Sequence, residues 1–300
     1  MDREEIVAKV IENTGVDIDE ATTMCHNWID YVQDDIVSRH NWSFLKKYGK
    51  ISTIESYSSG TIAVNQDSTT VTGTGTVWTS SMVGRYIYLP DENYYKITGF
   101  VSPTEITIET AYIGEATTGK TYVIIAIDYS LPSNFGTMKF MRRIVPSALI
   151  IPNIPEIVFT DYIANPYSET GEINAYMYSG FDSNGYQMIR FRPIQQDRKL
   201  VEICYITKLS SINTEGAESE IPTRMHQLFI FKLSELVFDM VDLDAKAEKY
   251  KIYYEEAIAK FISGDMSKSL DRIERYPDER IFKSEKVPTV GLSRDHFERI

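Results

Sequence analysis

The chain has 300 residues, 43% hydrophobic and 25% charged, enough to bury a real core and near the size at which a second compact unit forms. A formal charge of −12 argues against a protein that grips nucleic acid by neutralising phosphates, because that affinity comes from clustered Lys and Arg. Apolar runs such as residues 144–151 are short and interrupted, far from the ~20 residues that a membrane helix needs.

The start of the chain, Met1-Asp2-Arg3-Glu4-Glu5, lacks the basic and then apolar pattern of a secretion signal, so the protein is expected to stay where it is made. Residues 2–13 place Ile6, Val7, Val10 and Ile11 at helical spacing, with Asp2, Glu4 and Glu5 in the first turn, where the helix dipole favours negative charge. Asn13-Thr14-Gly15 ends this helix. Asp19 or Asp17 can cap a second one with apolar positions Met24, Trp28, Tyr31, Val32, Ile36 and Val37, ending near His40. From Ser58 to Ile127 short runs of Thr, Val, Ile and Tyr alternate with turn residues, as at Asn65-Gln66-Asp67, Gly73-Thr74-Gly75 and Asp91-Glu92-Asn93. About six strands are predicted, forming a small barrel or sandwich.

Residues 128–210 predict a second, less regular β unit in which Arg190-Phe191-Arg192-Pro193 and Leu200–Ile206 form a hairpin. Pro222 opens a helix over 223–240, and a second follows over 245–262, closed by Gly264. A short helix over 268–276 stops at Pro277. The last stretch, 283–300, is too sparse in apolar residues to fold alone and is expected either to fray or to fasten to a partner. Charge by segment is −5 over 1–59, −4 over 60–130, +1 over 131–200, −5 over 201–259 and +1 over 260–300, so acid is spread along the chain.

Catalytic patterns are missing from this sequence. His26, His40, His226 and His296 show no zinc-binding spacing, and Cys25 and Cys204 read as reduced core thiols. Gly73-Thr74-Gly75-Thr76 lacks the Lys-Ser/Thr ending of a phosphate loop. The acidic pairs Asp34-Asp35, Asp91-Glu92 and Glu255-Glu256 read as solvated faces, since neighbours on a helix point apart. No Gly-x-Ser-x-Gly elbow occurs. The one excess is aromatic: 20 Tyr, with Tyr86, Tyr88, Tyr94, Tyr95, Tyr176 and Tyr178 at strand positions, residues suited to β packing, sugar stacking or oligomeric contact.

Residues 60–78, with their repeated Thr-Val-Thr-Gly-Thr-Gly, followed by Met82–Tyr88, Tyr94–Ile97 and Gly119–Ile124, resemble a β module that recurs in phage virion proteins. Leu131-Pro132-Ser133-Asn134, the later hairpin, Glu220-Ile221-Pro222 and the terminal helix pair resemble the head-to-tail adaptors (connectors) of short-tailed bacteriophages. That resemblance implies a dodecameric ring at the head-tail junction of the virion, assembled in the host cytoplasm. It implies a ring docked below the portal protein, continuing the DNA channel toward downstream tail, nozzle or fibre proteins, and a C-terminus that reaches the portal.

The expected fold is therefore α+β. A helical core, from N-terminal residues 1–59 and the C-terminal helix hairpin within 211–282, carries an inserted small β module, 60–127, and a second β unit, 128–210, and ends in an extended tail, 283–300. The expected protein is structural, neither an enzyme nor a cofactor binder, and makes no membrane contact. DNA passes it without specific binding, and Val287, Val290, Leu292, Phe297 and Ile300 of the tail are the candidate portal contacts. Two alternatives remain: a carbohydrate-binding tail or surface protein using the Thr- and Tyr-rich module, and a glycosidase using carboxylates such as Asp161 and Asp182, whose required separation of ~5–9 Å no sequence gives.

Overall fold

The computed structural model describes residues 1–16, 18–144, 149–156 and 171–274, which fall into two compact units. One is built from the two ends of the chain, Met1–Trp42 and Ile212–Ile300, and the other is Ser43–Ser211.

The first unit holds four α-helices among the described residues: α1 (Arg3–Thr14), α2 (Asp19–Ser38), α3 (Gln227–Met240) and α4 (Asp244–Glu274). Asp2 caps α1 in a reciprocal capping box with Glu5, and Gly15, at φ 66°, closes it in the left-handed conformation that glycine adopts at little cost. Asp19 is the first helical residue of α2 and not its cap; Ile18 precedes it with no side-chain bond, and Asp17 lies outside the described residues. Beyond α2 the indole of Trp42 donates to the Ile36 carbonyl at 2.7 Å, satisfying one of the carbonyls that a helix end leaves open. The apolar helix α3 packs against α1, α2 and α4, burying Leu228, Phe229, Leu233, Val237 and Phe238. Against α4 the contact is aromatic, with Phe231 and Phe238 on the Tyr250 ring.

The second unit contains thirteen strands among the described residues: β1 (Lys46–Ser52), β2 (Thr61–Val64), β3 (Thr70–Thr74), β4 (Tyr86–Tyr88), β5 (Tyr94–Ser102), β6 (Glu105–Ile108), β7 (Thr117–Lys120), β8 (Val123–Ile125), β9 (Asp128–Ser130), β10 (Phe135–Arg143), β11 (Ala175–Phe181), β12 (Gln187–Arg192) and β13 (Leu200–Thr207). They form three antiparallel sheets in the orders β1-β13-β10, β11-β12-β9 and β7-β2-β3-β6-β5-β4-β8. In the seven-stranded sheet the edge strands β7 and β8 are separated in the chain only by Thr121 and Tyr122. A two-residue link spans at most about 10 Å, so the sheet curls into a half-barrel until its edges approach. Its core is Trp78 with Ile62, Val71, Ile87, Ile97, Ile106 and Ile124. The two three-stranded sheets share another core, which includes Met141, Ile189, Phe191, Val201 and Ile203.

These facts overturn the expected plan of a helical core closed by a C-terminal hairpin around a small inserted β module. The described fold is mixed, four helices beside mostly antiparallel sheets, and the β body is no mere insertion. Residues 46–52, expected in the helical core, form a strand paired along its whole length with β13. The predicted six-stranded barrel or sandwich is one curled seven-stranded sheet. The predicted hairpin does not form: β12 pairs with β11 and β9, whereas β13 pairs with β1 and β10, because each strand buries one face in the shared core from a different sheet. At the C-terminal end, Gly264 does not stop a helix, and α4 runs on to Glu274. A helical glycine costs only about 1 kcal/mol, too little to end a helix by itself.

Candidate interaction surfaces

The groups that could suggest catalysis are engaged in structural work. His226 is buried, its Nε2 2.7 Å from the Ile221 carbonyl oxygen and its ring edge-on to Phe229; burial holds its pKa below the ordinary histidine value. His26 is half-buried and shifted the same way, first by burial and then by Arg3. His40 lies 3.2 Å from the buried Asp265 carboxylate and edge-on to Trp42. His296 lies outside the described residues.

The acidic pairs, read as solvated faces, are solvated only in part. Asp35 accepts from the Tyr254 hydroxyl at 2.6 Å and pairs with Arg39, whereas Asp34 is exposed. Glu255 pairs with Arg39 at 3.3 Å and Glu256 is exposed. Asp91 organises a turn with Asn93 and accepts from the Tyr95 hydroxyl, whose pKa burial and this carboxylate push up to about 12. Asp182 accepts from the Ser130 hydroxyl and from the amides of Asn184 and Tyr186, which hold its carboxyl below the usual range. Its proposed catalytic partner Asp161 lies outside the described residues. The Gly73 turn is a packing device: a Cβ there would lie 2.3 Å from the Thr76 hydroxyl and 2.9 Å from the Trp78 ring. Both cysteines are free and buried.

The tyrosines divide. Tyr95 and Tyr176 are core residues, and Tyr88 stacks on Tyr94 across the β4–β5 pair at 4.8 Å. Near that pair Leu89, Pro90, Glu92, Lys120 and Thr121 line a cleft of about 330 Å³. On α3 and α4, Gln227, Phe231, Tyr253, Ala257 and Lys260 line a second cleft of about 380 Å³.

No family model matches the chain, and no curated protein matches it. On its surface two outward faces each carry a largely exposed tyrosine beside a second aromatic ring.

The first face belongs to α2. Its buried positions, Ala21, Cys25, Ile29, Val32 and Ile36, recur every three or four residues and define the inward stripe. Trp28 and Tyr31, predicted among the apolar positions, lie outside that stripe and are 36% and 59% exposed. Glu20, Asn27 and Asp34 share the outward side with Tyr31. The signal was present in the sequence: the small residues Ala21 and Cys25 set the phase of the helix, whereas reading the larger aromatics as core rotates it wrongly.

The second face belongs to the β1-β13-β10 sheet. Strand alternation puts Lys46, Tyr48 and Lys50 on the side opposite Ile51, which faces the core. Tyr48 and Phe140 flank Cys204 from either side in register, 6.3 Å apart, with Tyr48 59% exposed. Lys46 lies over the Tyr48 ring and Arg142 over Phe140, and Arg142 also pairs with Glu202. Lys46, Lys47 and Lys50 have no carboxylate partner among the described residues. The sequence reading missed this face because a whole-chain charge of −12 hides a local basic cluster.

The candidate portal contacts Val287, Val290, Leu292, Phe297 and Ile300 lie outside the described residues.

Proposed function

We propose that this chain is a structural subunit of a tailed-phage particle, a head-to-tail adaptor that assembles into a ring between portal and tail. The observation that carries the reading is the pair of exposed aromatic faces, one on each compact unit, set in surroundings of different charge. Residues 1–42 and 212–300 hold 28 acidic and 17 basic side chains, and residues 43–211 hold 15 and 14. A subunit with two different sticky faces can make a head-to-tail contact, and such a contact closes into a ring when its rotation permits. The acidic unit would also keep passing DNA from sticking. In this reading the tail residues Val287, Val290, Leu292, Phe297 and Ile300 reach the portal. The resemblance of the β module to those of virion proteins supports the same assignment.

Negative-stain imaging of the purified chain, alone and with its cognate portal, tests it. Rings, or an added tier on portal rings, are expected; particles that stay single under both conditions would overturn the reading. A second reading, carbohydrate binding, draws on the cleft beside the Tyr88–Tyr94 pair, where a sugar ring could stack. Retention on a glycan array, lost in Tyr88→Ala, would favour it.

A further inference from the structure

The two exposed faces each centre on aromatic residues and carry opposite charge. On α2 the outward aromatic is Tyr31, with Trp28 beside it and the carboxylates of Glu20 and Asp34 on the same side. Neither carboxylate has an ion-pair partner among the described residues. On the β1-β13-β10 sheet the outward aromatics are Tyr48 and Phe140, rimmed by the ammonium groups of Lys46 and Lys50. We propose that these faces are the two halves of one intersubunit contact, the acidic α2 face of one copy seated on the basic sheet face of the next. The proposal rests on the ring reading above and names the surfaces that would close the ring.

Its anatomy and its charge carry it. An aromatic centre with a charged rim is the anatomy of a specific protein contact, in which Trp, Tyr and Arg supply most of the energy and the rim supplies register and sign. Charge decides the occupant: the chain itself supplies an acidic partner, since its net negative charge falls almost wholly on residues 1–42 and 212–300. An ordinary account of Lys46, Lys47 and Lys50 is that lysines on the edge strand β1 blunt pairing with other sheets. That account explains the lysines; Tyr48 and Phe140 cover the buried Cys204 between them, yet Tyr48 still leaves 59% of its surface to solvent. The contact is also heterologous, because the two faces differ, so it propagates from copy to copy as a ring requires.

Charge reversal in the full chain tests the pairing. Lys46→Glu with Lys50→Glu alters the sheet face, and Glu20→Lys with Asp34→Lys alters the helix face. Each double variant alone should weaken self-association at least tenfold in sedimentation velocity, because every contact then sets like charges together. Mixed in equal amounts, the two variants should assemble again, since alternating copies restore one native contact and one sign-reversed contact per pair. That rescue also excludes misfolding as the cause of the loss. Raising salt from about 0.1 to about 0.5 M should weaken the wild-type assembly, and Tyr31→Ala should weaken it at unchanged salt dependence.

Rings that survive both reversals would overturn this contact and leave the ring reading standing. A wild-type chain that is monomeric at about 100 µM and fails to add to portal rings would overturn both. Oligonucleotide binding that Lys46→Glu with Lys50→Glu abolishes, with assembly unchanged, would assign the sheet face to nucleic acid instead.

Discussion

The helical unit and the β unit solve the same problem, burying apolar surface, with different treatment of charge. Around the helices the polar groups form local pairs, Tyr254 with Asp35, Arg39 with Glu255 and His40 with Asp265, while the excess acid is left outward. In the β unit acids and bases nearly balance in number, and one sheet surface gathers Lys46, Lys50 and Arg142 around two aromatic rings, with Glu202 between Lys50 and Arg142. Net charge is thus a poor guide to surface chemistry in a chain whose two bodies divide it unequally. Buried groups hold each unit together, and on the β unit the outward Tyr48 and Phe140 also cover the buried Cys204 between them.

The largest effect is expected in the β unit. Trp78 is buried in the half-barrel and donates its indole proton to the Tyr122 hydroxyl, which in turn donates to the Ser59 carbonyl. Trp78→Ala should cost about 3–5 kcal/mol in a urea titration followed by circular dichroism. A loss below about 1 kcal/mol would show that this core is not packed as described.

In the helical unit the corresponding probe is polar and smaller. Tyr254 is fully buried and donates to Asp35, so Tyr254→Phe should cost about 1.5–3 kcal/mol, the worth of a hydrogen bond to a charged group. The Arg39→Ala variant, which removes a partly exposed partner of the same carboxylate, should cost less than about 1 kcal/mol. If the two losses were equal, burial would not be the deciding factor.

A pH experiment sharpens the contrast further. Burial lowers the folded pKa of His226, the hydrogen bond to the Ile221 carbonyl opposes it, and the positive charges of the N-terminus and Lys9 add to the lowering against a smaller opposing effect of Glu5. As pH falls below its ordinary value of 6.5, the unfolded chain takes up a proton that the folded chain refuses, so stability decreases. Thermal unfolding followed from pH 7 to about pH 5 should show that decline, and His226→Gln should flatten it. An unchanged slope would mean that other groups dominate the acid limb.

The smallest effect on stability belongs to the tail. Ending the chain after Phe282 should leave thermal unfolding nearly unchanged and abolish co-sedimentation with portal rings. Undiminished portal binding would move that contact to the described units.

Much of the local structure was legible in the sequence. The capping box at Asp2 and Glu5, the glycine end of α1, and the strand-and-turn rhythm between Thr61 and Ile125 depend on near neighbours, and near neighbours are what a sequence displays. The turn at Asp91-Glu92-Asn93 was visible too, whereas Asp182, read as a possible catalytic carboxylate, instead holds the turn to Tyr186. What failed was long-range. No property of Lys46–Ser52 states that β13, some 150 residues later, will pair with it, and nothing in Leu200–Ile206 says that β12 will not. The phase of α2 was legible in part: Cys25, Val32 and Ile36 are core residues as read, whereas Trp28 and Tyr31, hydrophobic by type, meet solvent.

The sequence by itself determined where helices and strands could form, the absence of metal-ligand spacing, and the total charge, since these follow from composition and short-range sterics. Tertiary structure decided which strands share a sheet and how the charge divides between two bodies. Those outcomes depend on contacts between residues far apart in the chain, where the free energy of burying a face outweighs the preference of any single residue.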